Sequence, residues 1–219
     1  ALAQMAQPAV AANCTWNPAS GNWSVAGNWS CSLVPGAADT ATIAATRSVT
    51  IDTTQSILSL SNAGTVNIDA FLLNLSGGGS TTNTGTINVG GPSTAALQVG
   101  HNVTNTGGTI NVSNGSSVNL LGFGITGGTI ATTGTGAVAA GANSSNSLSG
   151  LTLNGTLDAT GANAQVRVSN LTLNGTATIG TSAVVYLDGT AGASTLGGTG
   201  SVVLNGAGSR LNVEGGNNQ

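Results

Sequence analysis

Lysine is absent from the 219 residues, and charged side chains of all kinds make up 4% of them, against about 25% in an ordinary soluble domain. The cations are Arg47, Arg167 and Arg210. The acids are Asp39, Asp52, Asp69, Asp158, Asp188 and Glu214, giving a net charge of −3. Three scattered arginines form no basic stripe, so nucleic-acid binding is not expected. No apolar run approaches the ~18 residues that a membrane-crossing helix needs, so membrane insertion is not expected either. One histidine, His101, and two cysteines cannot assemble a zinc or iron site, and no cofactor is expected. Leu and Glu do not recur at helical spacing, which argues against long helices.

Apolar residues are nevertheless plentiful, at 39%. They come as short Val/Ile/Leu clusters separated by Gly, Asn and Ser, the signature of short strands rather than of a disordered polar chain. The two cysteines, Cys14 and Cys31, bracket a tryptophan-rich segment. An even, closely spaced pair reads as a disulfide formed in an oxidising compartment. The chain opens Ala1-Leu2-Ala3, a triplet of the kind left where a secretory signal is cleaved. Both features point to a secreted, extracellular or cell-surface protein.

Internal repetition decides the expected fold. Leu-Thr-Leu-Asn-Gly-Thr stands at 151–156 and again at 171–176. A looser Gly-Thr anchor begins at Gly64, Gly85, Gly108, Gly128, Gly155, Gly175 and Gly198, at intervals averaging about 22 residues. One interval, from Gly128 to Gly155, is 27 residues long. Each unit divides into three short alternating strands, and three such strands make one turn of a parallel β-helix. The prediction is therefore an all-β, single-stranded, right-handed parallel β-helix (a β-solenoid). It would have seven or eight coils of about 22 residues, and a rod about 35 Å long at ~4.8 Å per coil.

Stacking the units on the anchor predicts the columns. The first strand would send Val66, Ile87, Ile110, Ile130, Leu157, Ala177 and Gly200 inward, with Ile68, Val89, Val112, Thr132, Ala159, Ile179 and Val202 beside them. The second would send in Leu73, Leu97, Val118, Val138, Val166, Val185 and Leu211, with Leu75, Val99, Leu120, Ala140, Val168, Leu187 and Val213. The third would carry Val103, Ile125, Leu151–Leu153, Leu171–Leu173 and Leu196. Outward, one column would be threonine throughout: Thr65, Thr86, Thr109, Thr129, Thr156, Thr176 and Thr199. Its neighbour would be mixed: Asn67, Asn88, Asn111, Ala131, Asp158, Thr178 and Ser201.

Residues 14–44 differ from the coils. They hold Trp16, Trp23 and Trp29, with Pro18 and Pro35, in the order Trp, Gly-Asn-Trp, Gly-Asn-Trp, Pro, Asp39. This string resembles the opening of bacterial autotransporter-passenger and β-strand-repeat surface proteins. The resemblance implies a right-handed parallel β-helix on the surface of a Gram-negative bacterium. The expected organisation is a flexible or strand-donating tail over 1–13, a tryptophan-rich disulfide-closed cap over 14–44 and the solenoid over 45–219. A solenoid end needs a cap because it is a row of unpaired backbone groups over an open core.

Three functions follow for comparison. Polysaccharide cleavage needs paired carboxylates; Asp52 and Asp69 could lie in adjacent coils, but Asp158, Asp188 and His101 are expected elsewhere, so the chain is expected not to be an enzyme. Ice binding needs a flat two-column lattice, and the mixed neighbour column and the long interval argue against one. The favoured function is a structural subunit of an extracellular fibre, assembling with itself head to tail through Trp16, Trp23 and Trp29 at one end and Leu211 and Val213 at the other. An adhesin fragment that attaches to surfaces or glycans is the alternative.

Overall fold

A computed structural model describes residues 11–91, 93–190 and 192–215. Three parallel sheets form the three sides of a β-solenoid. Sheet I has ten strands, from Asn13–Thr15 to Arg210–Glu214; sheet II has nine, from Ser20–Asn22 to Leu196–Gly197; sheet III has eight, from Gln55–Ile57 to Ser201–Leu204. The chain visits I, II and III in turn and makes about eight coils of about 21 residues. The one helical turn among the described residues is a 3-10 turn over Ala26–Asn28. The strands are short, two to five residues, because glycine, Asn and Ser corners interrupt them. Within most of them burial alternates, as in Thr86–Val89, where Ile87 and Val89 are buried and Thr86 and Asn88 are half-buried.

The core is a narrow pile of these inward side chains. On sheet II, Val49, Val66, Ile87, Ile110, Ile130, Leu153 and Leu173 stack in register. On sheet III, Leu73, Leu97, Val118, Val138, Leu157, Ala177 and Val202 do so. Each buried aliphatic contributes roughly 1.5–3 kcal/mol of gross burial energy. The inner asparagines are satisfied along the axis, whereas the buried Trp16 Nε1 and His101 Nδ1 have no partner among the described residues. At the corner between sheets I and II, the Asn62 amide donates to Asn83 Oδ1 at 2.7 Å, and the Asn83 amide donates to Asn105 Oδ1 at 2.6 Å. The amides of Asn62, Asn83 and Asn105 also donate to the carbonyls of Gly64, Gly85 and Gly108 respectively. Buried amides of this kind are tolerated because their donors are used.

The register agrees with the anchored stacking as far as Ile130 and then departs from it. Thr129 pairs with Thr152, and Thr152 with Thr172, so the inward column of sheet II runs through Leu153 and Leu173, not Leu157 and Ala177. Leu157, Ala177 and their neighbours Ala159 and Ile179 belong to sheet III. Val166, Val185 and Leu211, with Val168, Leu187 and Val213, do form columns, but on sheet I. The strands at 152–154, 171–173 and 196–197 belong to sheet II. Gly200 lies outside any strand, and Val202 pairs with Ala177 on sheet III.

The physical reason is that Gly-Thr marks a close corner, not one particular corner. A Cβ on Gly85, at the turn into sheet II, would run into the Gly64 carbonyl oxygen. A Cβ on Gly175, at the turn into sheet III, would run into the Gly155 carbonyl oxygen. Both corners demand glycine for the same steric reason, so the motif changes corner without changing its spelling. The 27-residue interval is then a 23-residue coil, Thr129 to Thr152, followed by the sheet II strand that precedes the other kind of corner.

The ladders already begin at Asn13–Thr15 and Ser20–Asn22, which pair with Thr40–Thr42 and Ser48–Thr50. Sheet III starts one coil later. In the chain, the segment between Ser20–Asn22 and Thr40–Ile43 stands where a sheet III strand would come. Trp16, Trp23 and Trp29 are buried, with Trp29 meeting Trp16 and Trp23 edge to face at centroid distances of 5.0 and 4.6 Å. Trp29 Nε1 donates to the Trp23 carbonyl and Trp23 Nε1 to that of Pro35. The disulfide joins Cys14 to Cys31. Residues 1–10 of the expected tail lie outside the described residues.

Candidate functional site

Among the described residues no three of His, Cys, Asp and Glu come together, and the candidate sites are the outer faces and the end coils. Sheet II presents two continuous columns. The first is Ser20, Ser48, Thr65, Thr86, Thr109, Thr129, Thr152 and Thr172. The second is Asn22, Thr50, Asn67, Asn88, Asn111, Ala131 and Asn154, with Asn174 above it. The neighbour column is therefore mostly asparagine: Asp158, placed in it by the anchored stacking, sits on sheet III between Ala139 and Thr178. Thr156, Thr176 and Ser201 also lie on sheet III.

The asparagines hold one another. Asn88 donates to Asn67 Oδ1 at 2.8 Å, Asn111 to Asn88 Oδ1 at 2.9 Å, and Asn174 to Asn154 Oδ1 at 2.9 Å. A shallow groove of about 370 Å³ follows this column, lined by Asn67, Asn88, Asn111 and Ala131 and edged by Asp69, Ser113 and Thr133. Sheet I carries a single exposed hydroxyl column that includes Thr42, Ser61, Thr82, Thr104 and Thr126.

At the last described coil, Leu211 is 42% exposed and Val213 77%, and Leu204, which the sequence reading left out, is 56% exposed. Among the described residues no other strand pairs beyond Arg210–Glu214 on sheet I. On the outer side of the same coils, Arg167 pairs with Glu214, lies 4.0 Å from Asp188 and stacks over Tyr186 at 5.0 Å. At the other end the three tryptophan rings are covered, so the surface offered there is the strand edges and the residues around the rings, such as the exposed Val25 and Leu33.

The titratable groups are dispersed. Asp52 accepts from the Ser24 backbone at 3.0 Å and from its hydroxyl at 2.5 Å, which ties the cap to the next coil. Asp52 and Asp69 follow the paired Ile51 and Ile68 on adjacent coils. Asp188 is held below the usual carboxylate range by the hydroxyl and backbone of Thr190, helped by Arg167. His101 is buried, with Nε2 2.8 Å from Thr81 Oγ1. Burial pushes its imidazole down from the ordinary value, partly offset by the Ser76 backbone nearby.

The inner asparagine column and the true partner of the threonines were missed from sequence. The signal for the first was present: Asn62, Asn83 and Asn105 each stand two or three residues before a glycine of the anchor. No family model, curated protein or solved structure matches the chain.

Proposed function

We propose that the chain is a non-enzymatic structural subunit that assembles with itself head to tail into an extracellular fibre. The observation that carries this reading is the exposed apolar surface that Leu204, Leu211 and Val213 form on the last described coils. Exposed apolar groups over an unpaired strand edge are a template for a further strand layer. Among the described residues, the outermost strands of sheets I and II at the opposite end are Asn13–Thr15 and Ser20–Asn22. Parallel ladders could therefore continue from one molecule to the next by strand addition. The tryptophans support that end from beneath. Such a contact is heterologous and propagates as an open filament, and a net charge of −3 opposes it weakly. The cystine fits export to an oxidising compartment, and the resemblance of the cap segment fits a Gram-negative cell surface.

A second reading is an adhesive rod of the passenger type that attaches to surfaces or glycans. The long hydroxyl and amide columns on sheets I and II favour it, since they present repeated hydrogen-bonding groups to the outside. Electron microscopy and light scattering of the purified protein separate the two. The fibre reading expects thin filaments with a subunit repeat of ~40 Å, lost on changing both Leu211→Asp and Val213→Asp while the monomer stays folded. A protein that remains monomeric at high concentration removes the fibre and leaves the adhesive rod.

A further inference from the structure

We propose that the outer face of sheet II binds ice, using its paired hydroxyl and amide columns as a template for ordered water. The inference does not rest on self-assembly. It rests on the observed register, which replaces a mixed neighbour column by a nearly uniform one and removes the apparent irregularity of the coils.

Four features of the face point to a water lattice. The first is spacing. Rungs repeat at ~4.8 Å along the axis, and the two columns stand about 6.7 Å apart, twice the strand rise. The axial repeat is close to the short oxygen repeat of hexagonal ice. The second is unfilled bonding capacity. Thr65, Thr86, Thr109, Thr129 and Thr152 are half-buried and Thr172 is exposed, so their hydroxyls are open to hydrogen bonds from solvent.

The third is rigidity. Threonine is stiff at its first side-chain torsion. The asparagines are pinned to one another in a common orientation, each leaving donor and acceptor capacity outward. Groups already fixed in place lose little entropy on binding. The groove along the asparagines, about 370 Å³, has room for on the order of ten waters in a rank.

The fourth is what the face lacks. From Thr86 to Asn174 its two columns carry no charge, so nothing selects an ionic partner. They carry no aromatic ring on which a sugar could stack, and all three tryptophans are buried in the cap. A neutral hydrogen-bonding array without aromatics suits a neutral hydrogen-bonded lattice better than a glycan. Ala131 is the one break in the asparagine run.

The test is partition of the full chain, fused to a fluorescent protein, into a slowly growing ice hemisphere. Enrichment over the fluorescent protein alone is the expected result. Thr109→Tyr, placed in the middle of the face, should lower it several-fold, and Thr86→Tyr repeats the test on another rung. Thr104→Tyr makes the same change on the hydroxyl column of sheet I and should leave partition unchanged. All three side chains point outward, and matching circular dichroism and Tm certify their folds. Exclusion of the wild-type fusion from ice overturns the proposal, as does an equal loss from Thr104→Tyr. Retention on insoluble cellulose or chitin that Thr109→Tyr abolishes, without ice partition, assigns the face to a glycan instead. Fibre formation, read separately by microscopy, should survive Thr109→Tyr.

Discussion

The cap and the last described coil meet the same physical problem in opposite ways. Each lies against the apolar core at one limit of the described coils. The cap closes it with three buried tryptophans and a disulfide. The last coil leaves Leu204, Leu211 and Val213 at 42–77% exposure, and polar contacts from Arg167 to Glu214 brace it from outside. In a solenoid each coil is held by its neighbours, so stability is graded along the axis. The cap is a fixed boundary, whereas the last described coil buries less of its apolar surface.

That contrast can be broken most severely at the cap. Trp29→Ala removes the ring that contacts both other tryptophans, and should cost about 3–5 kcal/mol in urea unfolding. A loss below 1 kcal/mol would mean that the cap is ornamental. Reduction of the cystine should cost about 3 kcal/mol by the chain-entropy account, for a loop spanning a sequence separation of 17. Thermal melts with and without reductant check this.

A smaller effect belongs to the middle coils, where His101 is buried. Its folded imidazole resists protonation, while the unfolded chain takes up a proton near the ordinary value of 6.5. Stability from this group is therefore complete above pH 6.5. It declines as pH falls below that value and stops declining beneath the folded pKa. His101→Gln should flatten this segment of the stability–pH curve; an unchanged curve would assign the dependence elsewhere. The smallest effect is expected at the last described coil. Glu214→Gln removes a half-exposed ion pair and should cost under about 1 kcal/mol, less in high salt. A larger cost would show that the last coil is braced as firmly as the cap.

The sequence revealed the solenoid because alternation, corner glycines and a 20-odd-residue repeat are local signals. The cap was legible for the same reason: its tryptophans and cysteines are rare residues in one short stretch. The second half of the columns was not legible. Gly155 and Gly175 look like Gly85, yet serve a different corner, and only the pairing of Thr129 with Thr152 reveals it. A one-strand shift keeps every apolar residue inward while moving it to another side of the triangle. Burial patterning cannot detect such a shift, because all three sides share one core. The outward faces do record it, and the asparagine column became visible once Asn154 and Asn174 took the places expected for Asp158 and Thr178.

That register is the claim on which the faces, the columns and the ice proposal all depend. Paired cysteines at 129 and 152, treated with a thiol bridge that spans only a few Å, test it directly against paired cysteines at 129 and 156. The native disulfide is kept oxidised throughout. The structure predicts efficient bridging in Thr129→Cys/Thr152→Cys, whose side chains stand on neighbouring rungs of sheet II, and little in Thr129→Cys/Thr156→Cys, whose second site lies on sheet III. Preferential bridging of 129 to 156 would restore the anchored stacking and contradict the account.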